Sequence, residues 1–288
     1  MAKKDLIAEV IDASPSRRKL LKSLGVASAA ATAMFAVGDR KLSAAAPSSG
    51  PSAVDILQFA LNLEYLEAEF YTYAVFGNGI DSHGIGINGS GNPGVTTGGK
   101  KVNFSNNFVF TGAVAAEIGA DERAHVNLIR GALTQAGVTP VAKPGINLDA
   151  LGIGFANEYS FLQLARIFED VGVSAYGYAA GVASLATSPY IGTAARILAA
   201  EAEHVGNIRL EVARLGVKTK PALDGVDILP PPSGTLFLSV DESTGLTAVR
   251  SPGQVLFLVY GGVASSVSGG FYPTGVNGTI NTSSAMPA

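Results

Sequence analysis

The chain of 288 residues has no cysteine. That absence excludes a disulfide framework and any thiolate metal ligand. Histidine is scarce: only three are present, His83, His125 and His204. Basic charge is not in excess either. The formal net charge is −3, and no basic patch carries interleaved aromatics, so nucleic acid is not an expected partner. Hydrophobic residues are plentiful at 47%, enough for a sizeable core and a globular chain of one or two domains.

The N-terminal residues have the order of an export signal. "SRRKLLK" (16–22) is basic, residues 23–38 are apolar, and "LSAAAPSS" (42–49) is rich in small residues. The apolar run is shorter than the roughly 20 residues of a spanning helix, so no stable membrane span is expected once the signal is gone. Arg17 and Arg18 before Leu-Leu-Lys resemble a twin-arginine signal. Cleavage near Ala44–Ala46 removes residues 1–46 and leaves a mature chain of net charge −7. Such a chain favours neither DNA nor an anionic membrane surface. A twin-arginine route implies export after folding, often with a cofactor loaded, to the periplasm or beyond the cell.

Beyond the signal, hydrophobic periodicity predicts four long helices. The first covers 53–76, with Leu57, Leu61, Glu64, Ala68, Tyr71 and Val75 on one face. Residues 77–107 hold nine glycines and read as a long surface loop. The second helix covers about 108–136 and stops at Gly137, with Pro140 beyond. After a linker at 138–156, the third runs over 157–186 with Asn157 as N-cap. Ser188-Pro189 starts the fourth, which ends before Gly216. Residues 47–217 thus form one bundle, and 218–288 a C-terminal extension packed on it or on a neighbour. Within the extension "TLFLSV" (235–240) reads as a short strand. Ser251-Pro252 opens a short helix through Tyr260, and the end reads as irregular. The apolar "VLFLVYGGV" (255–263) is a candidate surface for packing on the bundle or for a homo-oligomer.

The four helices contain a repeat. "ERAHVNLIR" (122–130) and "EAEHVGNIR" (201–209) share E-x-x-H-V-x-x-I-R. "EYLEAEFYTYA" (64–74) and "EDVGVSAYGYA" (169–179) share a Glu, a Tyr seven residues later, and Y-x-Y-A. Two matched pairs in the same order indicate a duplicated helix pair. In each helix the Glu, or Glu and His, interrupts an otherwise apolar stripe, so these groups face inward. Four buried carboxylates repel one another and cannot remain ionised without partners. No inward lysine or arginine is available to them, whereas two divalent cations balance four Glu. The candidate ligands are Glu64, Glu122, His125, Glu169, Glu201 and His204, the pattern of dimetal carboxylate bundles. Oxygen-rich ligation with two imidazoles suits iron ahead of manganese and disfavours a structural zinc. Glu67, one turn from Glu64, is the alternative ligand of the first helix. Tyr71 and Tyr176 are candidates for the reactive site as donors that orient carboxylates, or they are core tyrosines. Glu117, Glu158 and Glu203 are expected in solvent, Arg130 and Arg209 in salt bridges, and His83 in the loop.

On these motifs residues 53–216 resemble the ferritin-like superfamily. "LNLEYLEAEFY" and "GGFYPTGVNG" are similar to its exported branch, which includes desiccation-related proteins. The resemblance implies an all-α, antiparallel four-helix bundle with a dinuclear centre. Three functions follow as expectations: redox chemistry with O2 or H2O2 at two iron ions, peroxide disproportionation at two manganese ions, or stress protection with a structural metal site.

Overall fold

The computed structural model describes residues 50–104 and 109–284. The expected export segment at 1–46 lies outside the described residues. Helix α1 (Ala53–Phe76) starts at Ser52, whose hydroxyl accepts the Asp55 N–H while the Asp55 carboxylate accepts the Ser52 N–H. It ends on Gly77 at φ 83°, a left-handed cap suited to glycine. Helix α2 is Val109–Gln135. Helix α3 is Glu158–Ala180, capped by the Asn157 side chain, which accepts the Ser160 N–H at 2.9 Å. A four-residue turn, α4 (Ala183–Ala186), precedes α5 (Ile191–Leu215), which ends at left-handed Gly216. Helix α6 is Pro252–Val259, with Ser251 and Gln254 in a reciprocal cap.

Contacting residues give the helix directions. Tyr65 and Thr72 of α1 meet Arg130 and Arg123 of α2, so one number rises as the other falls. Tyr71 meets Glu169 and Glu64 meets Tyr176, so α1 and α3 are antiparallel as well. The same holds for α2 against α5, where Glu122 meets His204 and His125 approaches Glu201. Helices α2 and α3 therefore run parallel, and the linker between them returns along the bundle as a single long crossover. The linker is not structureless. Its Ile146–Asn147 (β2) pairs in parallel with Thr96–Thr97 (β1) of the glycine-rich loop. At position 94 a side chain is excluded, because a Cβ on Gly94 would stand 2.2 Å from the Gly145 nitrogen.

Three expectations need correction. The third helix stops at Ala180 and not at 186, since Gly181 and Val182 leave the helical path before α4. Ser188 does not cap the fourth helix: its hydroxyl donates to the Leu185 carbonyl and accepts the Tyr190 N–H, so it closes the preceding turn. Residues 235–240 form no strand. The carbonyls of Leu236 and Phe237 accept from the Arg209 guanidinium, and only Val240 makes a bridge, to Thr247.

Helix α1 is buried on nearly every side from Ile56 to Thr72, far beyond a single stripe. The extension supplies the extra cover. Asn277 accepts from and donates to Asn62: its N–H reaches Asn62 Oδ1 at 3.0 Å, and Asn62 Nδ2 reaches its carbonyl at 2.9 Å. The Asn277 side chain also donates to the Asn92 and Ala142 carbonyls. Tyr272 donates to the Asn62 carbonyl at 2.6 Å. Arg250 joins the extension to α3 through Ser174 and pairs with Asp224. Among the described residues no helix is long and apolar enough to cross a membrane.

Candidate metal centre

Each of the four long helices sends its interrupting residues to one buried space. Glu64, Glu122, Glu169 and Glu201 are all fully buried, and His125 and His204 nearly so. Two overlapping clusters result. Glu64, Glu122, His125 and Glu201 form one, and Glu122, Glu169, Glu201 and His204 the other. Within each cluster the donor atoms lie within 4.8 Å of one another. Glu122 and Glu201 belong to both and sit between them. The arrangement reproduces the sequence duplication as a near-twofold relation.

Both imidazoles present Nδ1 to the carboxylates. His125 Nδ1 lies 3.3 Å from Glu64 Oε2 and 3.3 Å from Glu122 Oε2. His204 Nδ1 lies 3.0 Å from Glu122 Oε1 and 3.2 Å from Glu169 Oε2. The tyrosines cross over: Tyr71 donates to Glu169 Oε1 and Tyr176 to Glu64 Oε1. Each therefore fixes one oxygen of a carboxylate on the opposite helix and leaves the other aimed into the site.

Burial would lower the His125 imidazolium, but the Glu64 and Glu122 carboxylates reverse this and hold it at about 11. His204, likewise opposed by burial, is held at about 12 by Glu122 and Glu169. Burial raises Glu122 to about 7, and burial with the neighbouring carboxylates drives Glu201 well up. Without a cation the cluster thus balances its charge with protons. Hydrogen bonding remains incomplete. Glu64 Oε2, Glu122 Oε1, Glu169 Oε2, both Glu201 oxygens and His204 Nδ1 are buried without a well-formed hydrogen bond, although all but Glu201 Oε2 stand 3.0–3.6 Å from a partner across an imidazole–carboxylate pair. An orphaned buried group of this kind costs about 1–3 kcal/mol, more if charged. Six such poorly satisfied atoms around one space fit a pair of divalent cations. The buried basic residues are engaged elsewhere: Arg166 and Arg209 with Asp170, Arg250 with Asp224, and Lys143 with Glu69.

The structure brings together all six candidate ligands. Glu67 does not join either cluster, although it is buried beside them. Burial, followed by the charges of Glu201, Glu122 and Glu169, pushes its carboxyl well above the usual range. Glu117 and Glu203 are exposed, but Glu158 is buried, contrary to expectation. Arg209 bridges α5 to α3 through Asp170 at 2.8 Å. Among the described residues Arg130 makes no salt bridge, and it instead donates to Tyr65 and the Asn88 carbonyl. His83 pairs with Asn78 in a short 3-10 turn (Ile80–His83) of the loop.

Two residues escaped the sequence reading. Asp121 holds the outer nitrogen of His204 at 3.3 Å. Gly172 lies against Glu201: a Cβ there would stand 2.4 Å from Glu201 Oε2 and 3.3 Å from Glu67 Oε1. Both stand where the repeat breaks, since Asp121 aligns with Ala200 and Gly172 with Glu67. The mismatches between the copies were the signal. A family model described as the ferritin-like domain matches residues 52–214. Among curated proteins, none matches this sequence.

Proposed function

Because the chain belongs to the ferritin-like family, we propose that it is an exported dinuclear-metal oxidoreductase acting on O2 or H2O2. The observation that carries the proposal is the set of four buried carboxylates and two imidazoles facing one space, with six of their polar atoms short of a well-formed hydrogen bond and no lysine or arginine paired to them among the described residues. Glu64 and His125 would hold one ion, Glu169 and His204 the other, with Glu122 and Glu201 shared. Bound metal would supply electrons to the oxidant, and the donor set suits iron ahead of manganese. The chain's own part is to preorganise the donors. Tyr71 and Tyr176 fix carboxylate orientation, Asp121 fixes the ring of His204, and the apolar stripes exclude water.

Protein from the exported fraction of its native cells tests this directly. Two metal ions per chain, with oxidant consumed on rapid mixing, are expected. Glu122→Ala removes a shared ligand and should lower bound metal to less than one ion per chain with the helical content kept. Manganese with release of O2 from peroxide would replace the oxidase reading by a catalase one. Stoichiometric metal without turnover would leave a structural role in stress protection. Absence of bound metal would overturn the dinuclear centre.

A further inference from the structure

Beside the carboxylate cluster lies a cavity of about 220 Å3 between α1, α3 and the C-terminal extension. Its walls are almost wholly apolar and include Leu66, Phe168, Val171, Leu258 and Phe271. Two charged side chains, Glu67 and Lys220, interrupt the apolar lining. Glu67 and Gly172 line it on the side of the carboxylate cluster. Lys220, an exposed residue, lines it on the solvent side and makes no ion pair among the described residues. Gly172 is the thin point of the wall, because its backbone lies directly against the Glu201 carboxylate.

The rim is built rather than incidental. Arg166, fully buried, donates to the Lys220 carbonyl at 2.5 Å. Its other arm pairs with Asp227, and Asp227 accepts the Ala222 N–H at 2.7 Å. The segment carrying the unpaired ammonium is therefore pinned over an apolar interior. An apolar cavity with a few placed polar groups is the usual form of a small-molecule site.

We propose that this cavity binds an amphipathic molecule with a single anionic head, of the medium-chain carboxylate class. The head pairs with Lys220, and the hydrocarbon chain runs inward past Phe168 and Val171 toward Glu67 and Gly172. The chain's buried end then faces the dinuclear centre, a point that rests on the function proposed above. The ligand is a candidate substrate or effector of that centre.

Calorimetry with decanoate and with decanol on the full chain tests the assignment. Decanoate should bind one per chain. Lys220→Glu, an exposed substitution that leaves the core intact, should weaken decanoate at least tenfold and leave decanol unchanged. Ala222→Phe should fill the rim and abolish binding of both. In the cobalt-loaded protein, decanoate should shift the visible cobalt bands. Absence of saturable decanoate binding overturns the cavity assignment and leaves the metal centre standing. Equal decanoate binding by the wild type and Lys220→Glu overturns recognition of an anionic head. Decanoate binding with unchanged cobalt bands overturns the inward orientation. Failure to bind cobalt at all overturns the metal centre and not the cavity, which calorimetry on the metal-free chain reads independently.

Discussion

Replacing Gly172 with alanine would place a methyl carbon 2.4 Å from Glu201 Oε2. In the interior of an α-helix that substitution ordinarily gains about 1 kcal/mol of helix propensity. Here the carboxylate must move away from the position it shares between the two clusters. Gly172→Ala is expected to keep its helical circular dichroism and lose bound metal. Gly131 of α2 is the control: nothing lies within 4 Å of its missing Cβ. Gly131→Ala should raise stability by about 0.5–1 kcal/mol with full metal content, read by thermal melting and metal analysis. The three glutamates of α1 show how environment separates identical side chains. Glu64 joins the cluster, and Glu67 lines the neighbouring cavity. Glu69 pairs with Lys143 and accepts from Thr96, which fastens the glycine-rich loop.

At the scale of elements, Asn277 is the fastening of the extension. Its amide and backbone join α1, the loop at Asn92 and the crossover at Ala142. Asn277→Ala keeps the backbone bonds to Asn62 but strands the Asn92 and Ala142 partners of the side chain, and should cost about 1–3 kcal/mol per group left unsatisfied. Limited proteolysis should then cut within 77–104 faster than in the wild type, while circular dichroism stays helical. The four bundle helices were legible in the sequence because periodicity and caps are local signals. Asn157, Gly137, Gly216 and Ser251-Pro252 all mark ends that the structure has. The six clustered residues were legible because the duplication set them in register. The extension was not, because its order comes from partners far away in sequence. Asn62 and Asn277 are 215 residues apart and leave no periodic trace. The apparent strand at 235–240 misled for the same reason: two of its carbonyls are occupied by Arg209, a side chain from another helix.

For the whole molecule, the proton content of the metal-free cluster sets a pH dependence. His125 and His204 are held at about 11 and about 12, above the ordinary 6.5. Their stabilisation is complete below about 6.5 and declines as pH rises through those values. Glu122 is raised from 4.5 to about 7, so its protonated form also favours the fold at low pH, an advantage lost as pH rises to about 7. Metal-free stability therefore falls from about pH 4.5, first through Glu122 up to about 7 and then through the histidines from about 6.5 toward 11 and 12. Metal uptake has the opposite sign, since ligation needs neutral imidazoles and ionised carboxylates and releases their protons. The gap in melting temperature between metal-loaded and chelated protein should widen from pH 6 to pH 8. A gap that narrows would contradict the ligand assignment.

The bond between Asn62 and Asn277 also sets an order in time. All six clustered residues have been synthesised once His204 emerges, whereas the residue that seals α1 follows about seventy positions later. At 5–20 residues per second that interval is roughly 4–15 s. During it the four helices can assemble while the extension that will cover α1 is still being made. The cover over α1 is thus the part of the fold made last, seconds after the helices that carry the carboxylates.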